Sequence, residues 1–139
     1  MPSSPLANAF AAAAQPPSIV SELTRIRAMV DRAQFLEALS DLAQLVARDP
    51  RNSKVWLHIG FVYVRMSIWP QAMEALQMAL EIEPRMPNAQ RLLALALFST
   101  GRRQEACDLI DVACRHAKNE NTHWMARAYI HSHTTTHPP

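Results

Sequence analysis

The residues able to do chemistry in this sequence are few, and their spacing suits little of it. Four of the six histidines gather near the end, at His123, His131, His133 and His137. Imidazoles this close can take a transition-metal ion adventitiously. No cysteine or carboxylate is placed among them to fix a geometry, so no metal site is expected. Cys107 and Cys114 lie seven residues apart. On one helix they would stand roughly 10.5 Å apart, beyond the reach of a disulfide. They read as small, reduced core residues of a reducing compartment. Cys114 and His116 are two apart on a helix and do not face each other. Glu81 and Glu83 point to different faces at a helix end. Asp108 and Asp111, with Arg115 four beyond Asp111, read as an exposed charged face with an i,i+4 pair. Neither G-x-S-x-G nor H-E-x-x-H occurs. The expectation is a non-enzyme without a cofactor.

The composition narrows the elements that could position any site. The 139 residues suffice for one domain with a modest core, and 49% of them are apolar. A formal charge of +2 is too balanced for a nucleic-acid footprint. Two glycines leave little material for tight hairpins or phosphate-cradling loops. No apolar run approaches the ~20 residues of a membrane span, so no membrane insertion is expected. Twelve arginines against two lysines, with much alanine, is a composition typical of a GC-rich bacterial gene. Residues 1–18 are rich in Ala, Pro and Ser and lack Lys and Arg. They read as a disordered cytoplasmic leader rather than a signal peptide.

A repeat organises the rest. Ala38, Ala72 and Ala106 are spaced 34 apart, as are Leu42, Leu76 and Ile110, Pro50 and Pro84, and Phe35 and Trp69. The third member of the last column is Arg103. Trp56 recurs as Trp124 with Gln90 between them. Apolar residues follow helical spacing, as in Leu92, Leu93, Ala96 and Leu97. Pro70 and Pro87 fall where helices begin. Asn52-Ser53 is an N-cap signal, and Gly101 fits an inter-helix turn. The spacing predicts helices at about 19–32, 35–48, 53–66, 69–82, 87–99, 103–117 and 121–131, with residues 132–139 a disordered tail.

The middle unit reads Trp56-x2-Ile59-Gly60-x2-Tyr63, then Ala72, Leu76, Ala79 and Pro84. It resembles the tetratricopeptide repeat, W-x2-L-G-x2-Y…A-x3-F…P at a 34-residue period. The following unit departs at Ala94, Leu97 and Lys118, and the opening helix lacks the signature. The resemblance implies an all-α, right-handed solenoid of three helix pairs (about 19–52, 53–86 and 87–120) plus a capping helix at 121–131. It also implies a concave wall formed by the first helix of each pair. Carried over residue by residue, that wall includes Arg27, Lys54, Leu57, Phe61, Val64, Arg65, Arg91, Leu95, Phe98, Met125 and Tyr129. Val30, Asp31, His58, Asn88, Leu92 and Ser99 fall on the same positions, Leu92 equally suited to the core.

Leu57, Phe61, Val64, Leu95 and Phe98 would give this wall an apolar centre, and such a strip marks a partner site. Leu57 and Phe61 occupy positions where relatives that bind acidic chaperone tails carry a carboxylate clamp, which argues against that mode. The expected function is a protein-interaction adaptor holding an apolar helical or extended segment of another protein. The alternative is a type III secretion chaperone shielding an aggregation-prone client. Three states of the wall stay open: free for a partner, filled by the leader around Leu6–Ala14, or packed as ordinary core. Homodimers and hetero-oligomers both fit the resemblance.

Overall fold

The computed structural model describes residues 18–117 and 121–134, together with residue 5. The described part folds into seven helices: α1 (Ile19–Asp31), α2 (Phe35–Arg48), α3 (Ser53–Arg65), α4 (Trp69–Ile82), α5 (Pro87–Ser99), α6 (Arg103–His116) and α7 (Asn121–Thr134). No strand occurs among the described residues. Local chemistry sets the starts. The Ser18 hydroxyl accepts from the Ser21 N–H at 3.2 Å, and the Asn52 side chain accepts from the Lys54 N–H at 3.1 Å. Pro70 and Pro87 sit in the first turns of α4 and α5, where the missing N–H leaves no bond unmade.

The turns inside the helix pairs repeat the 34-residue step in backbone conformation. Ala33, Ser67 and Gly101 all take positive φ, at 59°, 58° and 89°. The following residue closes the helix behind it in each case. Gln34 N–H bonds to Met29 O, Ile68 N–H to Tyr63 O and Arg102 N–H to Leu97 O, all at 2.9 Å. This is the wider of the two bonds of a Schellman-type end. Only the third of these positions was legible beforehand, because only Gly101 is a glycine.

A second periodic device spans the pairs. The Trp56 indole N–H donates to Pro50 O at 2.9 Å, and the Gln90 amide donates to Pro84 O at 3.2 Å. Glutamine thus keeps the donor where the repeat has lost its tryptophan. At Gly60 the helices meet closely. A Cβ there would lie 2.6 Å from the Leu76 side chain, which is itself fully buried.

Two cores result. Leu23, Ile26, Val30, Ala38, Leu42, Leu45, Val55 and Val62 join α1, α2 and α3. A larger core joins α4 to α7 around Leu76, Leu93, Leu97, Ile110 and Ile130. Phe61 of α3 packs against both. The pair α1–α2 is packed more loosely than α3–α4 or α5–α6. Two ion pairs bind it further: Arg48 to both oxygens of Glu22 at 2.9 and 3.2 Å, and Arg25 to Asp41 at 3.0 Å. Cys107 and Cys114 are buried free thiols, and burial pushes the Cys114 thiol up.

The last helix runs to Thr134, three residues into the stretch expected as tail. Its end is anchored: Ile130 is fully buried, His131 bonds Asp111 at 2.9 Å, and Arg103 donates to the His133 carbonyl at 3.0 Å. The rest of that tail, 135–139, Lys118, and the leader apart from residues 5 and 18 lie outside the described residues. Helices α1, α3 and α6 each end one residue earlier than the spacing suggested.

Candidate functional site

The first helices of the pairs, α1, α3 and α5, and the closing α7 lie side by side, each packing on the next. Two cavities open along this row. One of about 240 Å³ is lined by Arg27, Leu57, His58, Phe61, Asn88, Arg91, Leu92 and Thr122. The other, of about 500 Å³, is lined by Val20, Leu23, Thr24, Arg27, Ala28, Asp31, Lys54 and His58. The structure thus brings Arg27, Lys54, Leu57, Phe61 and Arg91 together around His58. Leu92 both lines the wall and is buried in the core, whereas Val30 is wholly core.

The apolar centre is half-buried rather than open. Leu57, Phe61, Val64, Leu95 and Phe98 all pack against the larger core from its edge. Cations cover the aromatic faces. The Arg27 guanidinium sits 4.3 Å from the Phe61 ring centroid, with Arg65 at 5.9 Å. Arg65 also lies 5.8 Å from the Phe35 ring, and Arg103 lies 5.4 Å from Phe98. Such contacts hold the charge near the wall at a cost of only ~0.5–1 kcal/mol to release at an exposed site. Phe61 is therefore both part of the wall and a structural link between the two cores.

At the far end Phe98 meets Tyr129 edge-on at 5.5 Å, and Tyr129 lies 4.3 Å from His133. Tyr129 is 51% exposed and Met125 70%. With Val20, also 70% exposed, these two are the large apolar side chains of the wall that solvent reaches most freely. Thr122, Arg103 and His133 also belong here, and the sequence reading did not place them on the wall. Arg103 could have been found, since it breaks the aromatic column of Phe35 and Trp69 at the third repeat. The histidines do not converge. His123 is buried, His131 faces Asp111, and His133 lies on Tyr129. His137 lies outside the described residues.

Electrostatically the wall is cationic. Burial lowers the pKa of His58, opposed by the hydrogen bond its Nδ1–H donates to Lys54 O at 2.7 Å, and the nearby Arg27 charge lowers it further. These effects favour the neutral form of His58, and the charge of the site comes from Arg27, Lys54, Arg65, Arg91 and Arg103, with Asp31 pairing Arg27 at 3.9 Å. The arrangement suits binding, with apolar hollows edged by guanidinium groups able to hold carboxylates.

Fold and wall together define an all-α helical-repeat scaffold with hollows along its row of first helices. The family model described as tetratricopeptide repeat matches residues 29–94. Domains of this family are generally non-catalytic protein-interaction modules. The human PEX5-related protein is 31% identical over 65 residues, which cover 47% of this chain. The match covers 10% of that relative's length. Among solved structures, the first repeat domain of Spaghetti (RPAP3), bound to an HSP90 peptide, superposes with a TM-score of 0.76 at 14% identity. That likeness covers 84% of this chain and 93% of the other. The Sgt2 repeat domain of Aspergillus fumigatus gives 0.76 at 17% identity, over 88% and 87%. The Yersinia enterocolitica type III secretion chaperone SycD, in complex with a peptide of the translocator YopD, gives 0.73 at 13%, over 86% and 97%. These likenesses show an all-α helical-repeat fold. Among the described residues no helix is long and apolar enough to cross a membrane.

Proposed function

We propose that this chain is a non-enzymatic cytoplasmic adaptor that holds an apolar segment of a partner protein against its inner wall, with acidic groups of that segment meeting the wall's arginines. The observation that carries this reading is the layering of Arg27 and Arg65 over Phe61 and of Arg103 over Phe98, beside the open Met125 and Tyr129. An incoming apolar side chain can replace a guanidinium on a ring face, and the displaced charge can then take a carboxylate. The site extends over Arg27, Lys54, Leu57, Phe61, Val64, Arg65, Arg91, Leu95, Phe98, Met125 and Tyr129. The domain that presents it comprises three repeats at 19–52, 53–86 and 87–120 with a closing helix.

A second reading draws on the SycD likeness: the occupant is a secreted, aggregation-prone client, and the chain is its chaperone. The test is affinity capture from the native cell with mass spectrometry, using wild type beside Met125→Glu/Tyr129→Ser. Both side chains are exposed, so the variant keeps its helices. The adaptor reading expects cytoplasmic partners lost from the variant. One dominant secreted partner, equally lost, selects the chaperone. Equal capture by both baits overturns the inner wall as the site.

A further inference from the structure

A second cleft lies between α3 and α4 and shares no lining residue with the inner-wall cavities. It has a volume of about 490 Å³ and is floored by Trp56, Ile59, Tyr63 and Met78, with Glu74 and Glu81 on its rim. Its cause is visible in the repeat. The residues 34 positions on from Trp56, Ile59 and Tyr63 are Gln90, Leu93 and Leu97, only 4%, 7% and 6% exposed. Leu93 and Leu97 share a core with Leu76 and Ala79 of the preceding α4. For α3 the preceding helix is α2, which packs on it more loosely, and no α2 side chain lines the cleft. Trp56, Ile59 and Tyr63 are left half-exposed. The face of α3 that is left open here is thus the face that the preceding helix helps to bury on α5.

The rim fixes the chemistry of what would fill it. Glu74 and Glu81 are exposed and stand in no ion pair with described residues. They are seven residues apart on α4, roughly 10 Å along its axis. That is also the separation of two side chains two turns apart on a bound helix. The inner wall carries the opposite charge. We propose that the α3–α4 cleft is a second docking site, for an amphipathic helix of a partner protein whose apolar stripe is flanked by Lys or Arg two turns apart. The chain then holds two segments of opposite charge on different surfaces.

The probes are two synthetic helical peptides of about 14 residues with one apolar stripe, flanked by Lys in one and by Glu in the other. Binding is followed by NMR on the whole chain. The Lys peptide is expected to shift the Trp56 indole, Tyr63 and Met78 signals. Glu74→Lys/Glu81→Lys, on an exposed rim, should keep the wild-type spectrum elsewhere and bind that peptide about tenfold more weakly. The proposal is overturned if the Lys peptide leaves those signals unmoved. It is overturned equally if the peptide shifts Leu57, Phe98 and Tyr129 instead, or binds the charge-reversed variant as well as wild type. The Glu peptide reports on the inner wall alone, so failure there leaves the cleft result standing.

Discussion

Ala33, Ser67 and Gly101 hold the same left-handed turn with three different side chains, and two of them are strained by it. A non-glycine residue in this region costs about 1–2 kcal/mol. Ala33→Gly and Ser67→Gly should therefore each stabilise the fold by about 0.5–1 kcal/mol, part of the relief being lost to a more flexible unfolded chain. Gly101→Ala should cost about 1 kcal/mol, for conformational reasons alone, because an added Cβ would meet nothing within 4 Å. Urea unfolding of the three variants checks the signs. Gly60→Ala is a different case. Its Cβ would strike a buried Leu76, so a loss of about 1–3 kcal/mol is expected from overpacking. Phe61→Glu should lose about 2–3 kcal/mol, because the carboxylate would enter the junction of both cores. A lower unfolding midpoint by circular dichroism is the expected result. That Phe61 shares a helix face with Leu57 and Arg65 was legible from the repeat register, and the three do lie along one side of α3. The role of Phe61 as a junction was not, since that depends on which cores meet there.

At the scale of the element, one carboxylate holds two side chains of α7. Asp111 of α6 accepts from Arg127 Nε at 2.8 Å and from His131 Nε2 at 2.9 Å. Burial works to raise the Asp111 pKa, but these hydrogen bonds and the two positive partners outweigh it and hold it below the usual carboxylate value. A carboxyl depressed in the folded state contributes stability above its unfolded pKa and loses it as pH falls through the folded one. Amide protection factors in residues 121–134, taken relative to intrinsic exchange at each pH, should therefore fall on acidification through the carboxylate range, while α5 stays protected. Asp111→Asn should make α7 exchange faster at neutral pH and remove most of that acid dependence. Equal acid sensitivity in wild type and variant would show that Asp111 is not the anchor. The existence of α7 was legible from Trp124 and the apolar spacing. Its extension to Thr134 was not, because Arg103 and Asp111, which anchor it, belong to another helix.

The described residues form two cores that share α3. In a solenoid each unit is stabilised by its neighbours, so a terminal unit with looser packing opens first. The α1–α2 pair is that unit, and its exposed arginine pairs contribute only ~0–1 kcal/mol each. Hydrogen exchange should rank α1 and α2 below α4, α5 and α6 in protection. Uniform protection across the chain would mean that a single core governs stability. Charge is also segregated at this scale, cationic on the inner wall and acidic at the α3–α4 cleft.

The sequence by itself determined the helices, their register and the repeat. Those follow from local chemistry: apolar residues at helical spacing, prolines in first turns, an Asn cap, and alanines recurring every 34 positions. The periodicity also grouped residues by helix face, because residues at equal places in equal helices face the same way. Only the tertiary structure decided what that wall presents. Arginines from α1 and α6 reach across to aromatic rings on α3 and α5, a matter of distance between helices that no single helix encodes. It also decided that Trp56, Ile59 and Tyr63 stay half-open while their counterparts one repeat later are buried. Side-chain type fixes what a residue can do, but the packing of the neighbouring helix fixes whether it remains free to do it.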